Sequence, residues 1–146
     1  MKDQGGNPET RIMVVEDNEM LAALLRRALE REGYEVILAA SGVEMMKLLY
    51  VSRPDLIVLD IGLPDVDGRD LLAGLKKDAR TFAIPVVVWS GRYADSDRAV
   101  ALGLGAEDYV EKGPPSSLVP KIARILLRIS ERELEKARES IPSSLA

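Results

Sequence analysis

Short apolar runs, rich in β-branched residues, recur along the chain at Ile12 to Val15, Val36 to Ala40, Leu56 to Leu59 and Pro85 to Trp89. None alternates with polar residues, so each reads as a strand covered on both faces. Between them the apolar spacing becomes helical. Leu21, Leu24, Leu25, Ala28 and Leu29 form one stripe, with Arg26, Arg27, Glu30 and Arg31 opposite and Gly33 where a helix would stop. Ser41 and Glu44 stand at capping-box spacing ahead of Met45, Met46, Leu48 and Leu49. A third helix follows Asp67 and Gly68 through Leu71, Leu72 and Leu75, and a fourth runs from about Asp95 to Leu104. A weaker fifth strand, around Glu107 to Val110, precedes Pro114 and Pro115 and a long helix from about Ser117. This strict alternation, with crossovers of helical length, requires an α/β fold: a parallel sheet with helices on both faces, joined by right-handed crossovers.

Composition narrows the function. The 146 residues, 47% hydrophobic and 30% charged, suit one domain with a sizeable core. A net charge of -4 without a basic cluster weighs against nucleic acid or an anionic membrane as a direct partner. The absence of Cys and His excludes disulfides, thiolate catalysis, imidazole bases and the usual zinc sites. No segment approaches the length of a membrane span and the first eleven residues carry no apolar signal core, so a cytoplasmic protein is expected.

Residues 1–10 are expected to be disordered, 11–130 to form the domain, and 131–146 to form a helical tail or linker. After Ile122, Ile125, Leu126 and Ile129 the apolar stripe fades into SERELEKARES, which is charged and strongly helix-forming. Such a tail reads first as a solvated helix and second as a helix through which two copies pair.

The residues that end the apolar runs carry the chemistry. Glu16 and Asp17 close the first, Asp60 the third, Ser90 the fourth, and Lys112 follows the fifth. In a parallel sheet all carboxyl ends point the same way, so these residues converge on one rim, where open α/β folds bind ligands. Carboxylates gathered within about 4 Å repel by roughly 4 kcal/mol per pair at an effective dielectric near 20. Such a cluster needs a cation, and an all-oxygen donor set suits Mg²⁺. Lys112 adds a fixed positive charge and Ser90 a hydroxyl able to donate to an anion. Together they make a site for phosphoryl transfer, in which a carboxylate attacks phosphorus in line. Asp60, at the end of the central strand, is the nucleophile this reading selects.

These segments resemble the receiver domains of bacterial two-component response regulators, including the single-domain chemotaxis type. The resemblance covers roughly residues 11–130 and rests on VVEDN, DLIVLDIGLPDVDG, VVVWSG and DYVEKGPP, in the family's order. It implies a (βα)5 doubly wound, flavodoxin-like sheet of strand order 2-1-3-4-5, here with an extended C-terminal helix. It implies that Asp17 holds Mg²⁺ directly and Glu16 through water, with Asp60 and the Gly62 carbonyl as further ligands. Asp60 becomes the phosphoacceptor for a sensor histidine kinase or a histidine phosphotransfer protein, and Ser90 and Lys112 contact the phosphoryl oxygens. Ser90 and Tyr109 become the switch that remodels the surface for a downstream partner or output domain. Tyr109 as plain strand packing is the simpler alternative. One departure stands out: the family usually has Pro directly after the lysine, and here Gly113 intervenes.

Two rivals follow. A pseudo-receiver would keep the fold and act as an interaction module without phosphorylation. A phosphohydrolase with an external substrate would want a second acid two residues after its nucleophile, where this chain has Gly62.

Overall fold

The computed structural model describes residues 10–92, 94–142 and 144. Most of the segment expected to be disordered at the start therefore lies outside the described residues. Five strands and five helices alternate: β1 Arg11–Val15, α1 Glu19–Arg31, β2 Glu35–Ala39, α2 Gly42–Val51, β3 Leu56–Leu59, α3 Gly68–Lys77, β4 Val86–Ser90, α4 Asp95–Gly103, β5 Asp108–Glu111 and α5 Pro115–Glu139. The strands form one parallel sheet in the order β2-β1-β3-β4-β5.

The two-residue period of the strands divides the core into two layers. Met13, Val15, Ile57, Leu59, Val86 and Val88 face α2, α3 and α4 through Met45, Leu72, Leu75 and Ala101. Ile12, Val14, Leu56, Val58, Val87 and Trp89 face α1 and α5 through Leu25, Leu29, Leu118, Ile122 and Ile125. Cover on both faces holds for β1, β3 and β4, which are buried almost throughout. It fails at the edges: Glu35 and Glu111 are exposed, because β2 and β5 each have a neighbouring strand on one side only.

Local chemistry sets the element ends. Asn18, Ser41 and Asp67 cap α1, α2 and α3 by accepting from Leu21, Glu44 and Arg69 backbone N–H groups. Gly33 and Gly105 adopt φ of 94° and 109°. Each closes its helix with a paired turn, Gly33 N to Glu30 O with Tyr34 N to Leu29 O, and Gly105 N to Leu102 O with Ala106 N to Ala101 O. Helix α5 begins two residues before the expected Ser117, since Pro115 at its first turn needs no N–H partner.

Candidate functional site

Register brings the polar residues together. Val15 pairs with Leu59, so Glu16 and Asp60 fall on the next rung, with Asp60 N donating to Val15 O at 3.0 Å. On the other side Ser90 pairs with Glu111, and Lys112 N donates to Ser90 O at 2.8 Å. Among the described residues, the buried polar or charged side chains are Glu16, Asp60 and Ser90, at 3%, 6% and 1% exposure. All three stand at this rim. Burying such groups is unfavourable unless partners compensate, so their concentration in one place marks a site rather than a packing accident.

The carboxylates of Glu16, Asp17 and Asp60 each offer an oxygen within 4.8 Å of the others. The Lys112 ammonium lies 2.6 Å from Glu16 Oε1 and 3.2 Å from Asp60 Oδ2. The remaining oxygens accept backbone donors, Glu16 Oε2 from Asn18 N and Asp60 Oδ1 from Gly62 N, both at 3.0 Å. Burial pushes the Glu16 carboxyl up, and Lys112 and the Asn18 N–H offset this only in part. Burial also works against the charge on Lys112, yet Glu16 and Asp60 outweigh it and hold the ammonium above the usual lysine range. Three carboxylates face one ammonium, leaving excess negative charge. Glu16 Oε1 is buried with the Lys112 ammonium 2.6 Å away, and its second lone pair keeps an acceptor position open. Oxygen donors, excess negative charge and an open buried acceptor together fit a hard divalent cation.

Two backbone devices hold the loop after Asp60. Asp65 accepts from Gly42 N and Val43 N, each at 3.0 Å, so the start of α2 carries the middle of the loop. Those donors draw the Asp65 carboxyl below its ordinary range. At the far end Gly68 N donates to Ile61 O at 2.9 Å. A Cβ on Gly68 would lie 2.5 Å from Ile61 Cα and 2.8 Å from Asp60 O, so α3 can approach the Asp60 segment only through glycine. The sequence marks Asp67 and Gly68 as a helix start but not Asp65 as a brace, since an aspartate in a Pro-Asp-Val-Asp-Gly turn carries no sign of which distant N–H groups it will meet.

Ser90 and Tyr109 meet at Arg92. The Ser90 hydroxyl accepts from Arg92 N at 3.0 Å, and the Tyr109 hydroxyl donates to the Arg92 carbonyl. Tyr109 is buried, in the layer of α2, α3 and α4. No peptide bond among the described residues is cis, including those around Gly113 and Pro114.

Residues 12–123 match the response regulator receiver domain family. The chain is a response regulator receiver domain. Over 122 residues it is 38% identical to the transcriptional regulatory protein AfsQ1 of Streptomyces coelicolor, an overlap of 84% of this chain and 53% of that one. A CheY-like response regulator receiver domain protein from Methanospirillum hungatei superimposes with a TM-score of 0.76 at 29% identity, covering 87% of this receiver domain and 98% of that chain. The phosphorylated cyanobacterial phytochrome response regulator RcpA gives a TM-score of 0.69 at 35% identity, covering 78% and 88%. The receiver domain spans about half the length of the curated relatives it matches. AfsQ1 is named as a transcriptional regulatory protein. No helix among the described residues is long and apolar enough to cross a membrane.

Proposed function

We propose that Asp60 of this receiver domain accepts a phosphoryl group from a phosphohistidine on a sensor histidine kinase or a histidine phosphotransfer protein. A carboxylate oxygen of Asp60 attacks phosphorus, the new O–P bond forms as the P–N bond breaks, and the imidazole keeps the electron pair. Glu16, Asp17, Asp60 and the Gly62 carbonyl are the groups that would hold Mg²⁺, which when bound supplies positive charge against the phosphoryl oxygens. Lys112 supplies a second positive charge and the Ser90 hydroxyl a hydrogen bond to the same oxygens. The observation that carries this reading is the contact of Lys112 with both Glu16 and Asp60 at the buried rim of the sheet. The chemistry serves the domain's own modification and its reversal, and no external substrate is turned over.

The test is the intact mass of the protein after incubation with acetyl phosphate and Mg²⁺. A gain of one phosphoryl group, absent in Asp60→Ala, is the expected result. No gain in the wild-type chain would transfer the function to the pseudo-receiver reading.

The readout follows from Arg92. Drawing the Ser90 hydroxyl toward a phosphoryl group breaks its bond to Arg92 N and shifts the residue whose carbonyl anchors Tyr109, so both ends of the switch move as one. The surface of α4, β5 and α5 then presents a new shape to a downstream partner or an output domain in the cytoplasm. Pairing of two copies through α5 is a further part of this reading. Leu127 and Leu134 are exposed seven residues apart, while Leu118, Ile122, Ile125, Leu126 and Ile129 of the same helix pack on the core. Light scattering of the wild type and of Leu134→Glu tests this, with the wild type expected to be dimeric and the variant monomeric.

A further inference from the structure

Lys112 has a third neighbour. Its ammonium lies over the ring of Trp89, 5.4 Å from the centroid. Sheet geometry produces the contact. Trp89 pairs with Val110 across β4 and β5, and Lys112, two residues after Val110, leaves the chain toward the same face of the sheet. That face is the layer of α1 and α5, where Trp89 is 1% exposed.

The indole is an odd choice for packing alone. Its Nε1 N–H is buried without a hydrogen-bond partner, a penalty that phenylalanine in the same place would avoid. What tryptophan offers over any aliphatic residue, and to a greater degree than phenylalanine, is a π face that attracts a cation. Lys112 has need of one. Its stem is long and flexible, and both of its carboxylate partners belong to the group set that changes charge when a cation or a phosphoryl group arrives. The ring face is an attractive surface beside this ammonium whose charge stays constant through that change.

We propose that Trp89 is a positioning residue for Lys112, holding the ammonium at the mouth of the site while the charges on Asp60 and its neighbours are altered. This rests on the role proposed above for Lys112 at the phosphoryl oxygens. A flexible lysine without this support spends less time at the reacting group, which slows transfer without altering the fold.

The test compares wild type, Trp89→Phe, Trp89→Leu, Lys112→Met and the double variant Trp89→Leu with Lys112→Met, by melting temperature and by the rate of phosphorylation from acetyl phosphate at saturating Mg²⁺. Trp89→Phe is expected to lie within about twofold of wild type and Trp89→Leu to be roughly fivefold slower, in the order of cation attraction. In the Lys112→Met background, Trp89→Leu is expected to slow the residual reaction no further. Equal rates for wild type and Trp89→Leu would overturn the proposal, as would the same slowing in both backgrounds, the sign of a packing role. Should Trp89→Leu fail to fold, fluorescence decides: Lys112→Met is expected to change the emission of Trp89, the sole tryptophan, and an unchanged spectrum would overturn the contact. A wild-type chain that takes no phosphoryl group would overturn the function itself, an outcome distinct from a labelled wild type matched by Trp89→Leu.

Discussion

Lys112 approaches Glu16 to 2.6 Å and Asp60 only to 3.2 Å, so its nearest counter-ion is not the carboxylate proposed as the phosphoacceptor. The Glu16 side chain is 1% exposed and that of Lys112 20%. A pair this sheltered costs more to break than to keep, because removing one partner leaves the other charged and dry. Lys112→Met is therefore expected to lower stability in EDTA by about 2 kcal/mol, below the full range for a wholly buried pair because Lys112 retains some water. Added Mg²⁺ is expected to restore more stability to the variant than to the wild type. Urea unfolding with and without the metal measures both, and identical midpoints in EDTA would show the contact to be idle.

Asp60→Asn removes one of three crowded carboxylates while leaving Lys112 its closer partner. Relief of repulsion on the order of 1 kcal/mol is expected to raise the melting temperature in EDTA by about 3–4 °C for a domain of this size. The added stabilisation from Mg²⁺ is expected to shrink in the same variant. A lower melting temperature would show that the bond from Gly62 N and the Lys112 contact outweigh the repulsion.

Asp65 gives the pH dependence. Its carboxyl is drawn down chiefly by Gly42 N and then by Val43 N. A depressed carboxyl contributes stability that is present above its unfolded value, 3.8, and is lost as pH falls through the lower folded value. Asp78, held by Arg80 and lowered to about 2, acts in the same direction. Acid unfolding is thus expected to begin below about pH 4, and Asp65→Asn to flatten that limb while leaving Asp78's share. Asp65 is exposed and Asp78 only half-buried, so water screens both and the effect is modest. Chemical unfolding at pH 6, 4 and 3 would show it, and parallel acid limbs in wild type and variant would contradict the loop contact.

Two glycines of α3 should respond in opposite senses to alanine. At Gly68 the added carbon meets Ile61 backbone at 2.5 Å, and the Asp60 segment must shift. Gly68→Ala is expected to cost about 1–3 kcal/mol and to slow phosphorylation as well. Gly74 has nothing within 4 Å of an added carbon and sits mid-helix, so Gly74→Ala is expected to add about 0.5–1 kcal/mol with the rate unchanged. Thermal melts and mass spectrometry of the two variants decide the matter.

Much of this was legible in the sequence because the signals are periodic. Unbroken apolar runs named the central strands, and the polar residue ending each run located the rim, since parallel strands have no choice about which end they share. Edge strands were read less well: Glu35 and Glu111 belong to β2 and β5 because of backbone ladders that no side-chain pattern records. The Asp65 brace, the close approach at Gly68 and the stacking of Lys112 on Trp89 were not legible. Each depends on where two segments distant in sequence meet, and residue type alone does not encode distance.

The members of the pocket, Glu16, Asp60, Ser90 and Lys112, each enter from a different β-element, and the ladder that aligns them is complete only when β5 joins β4. In a growing polypeptide the ammonium of Lys112, which lies between Glu16 and Asp60, is therefore the last of these groups to reach the rim. Full charge compensation of the buried carboxylates waits on the docking of the final strand.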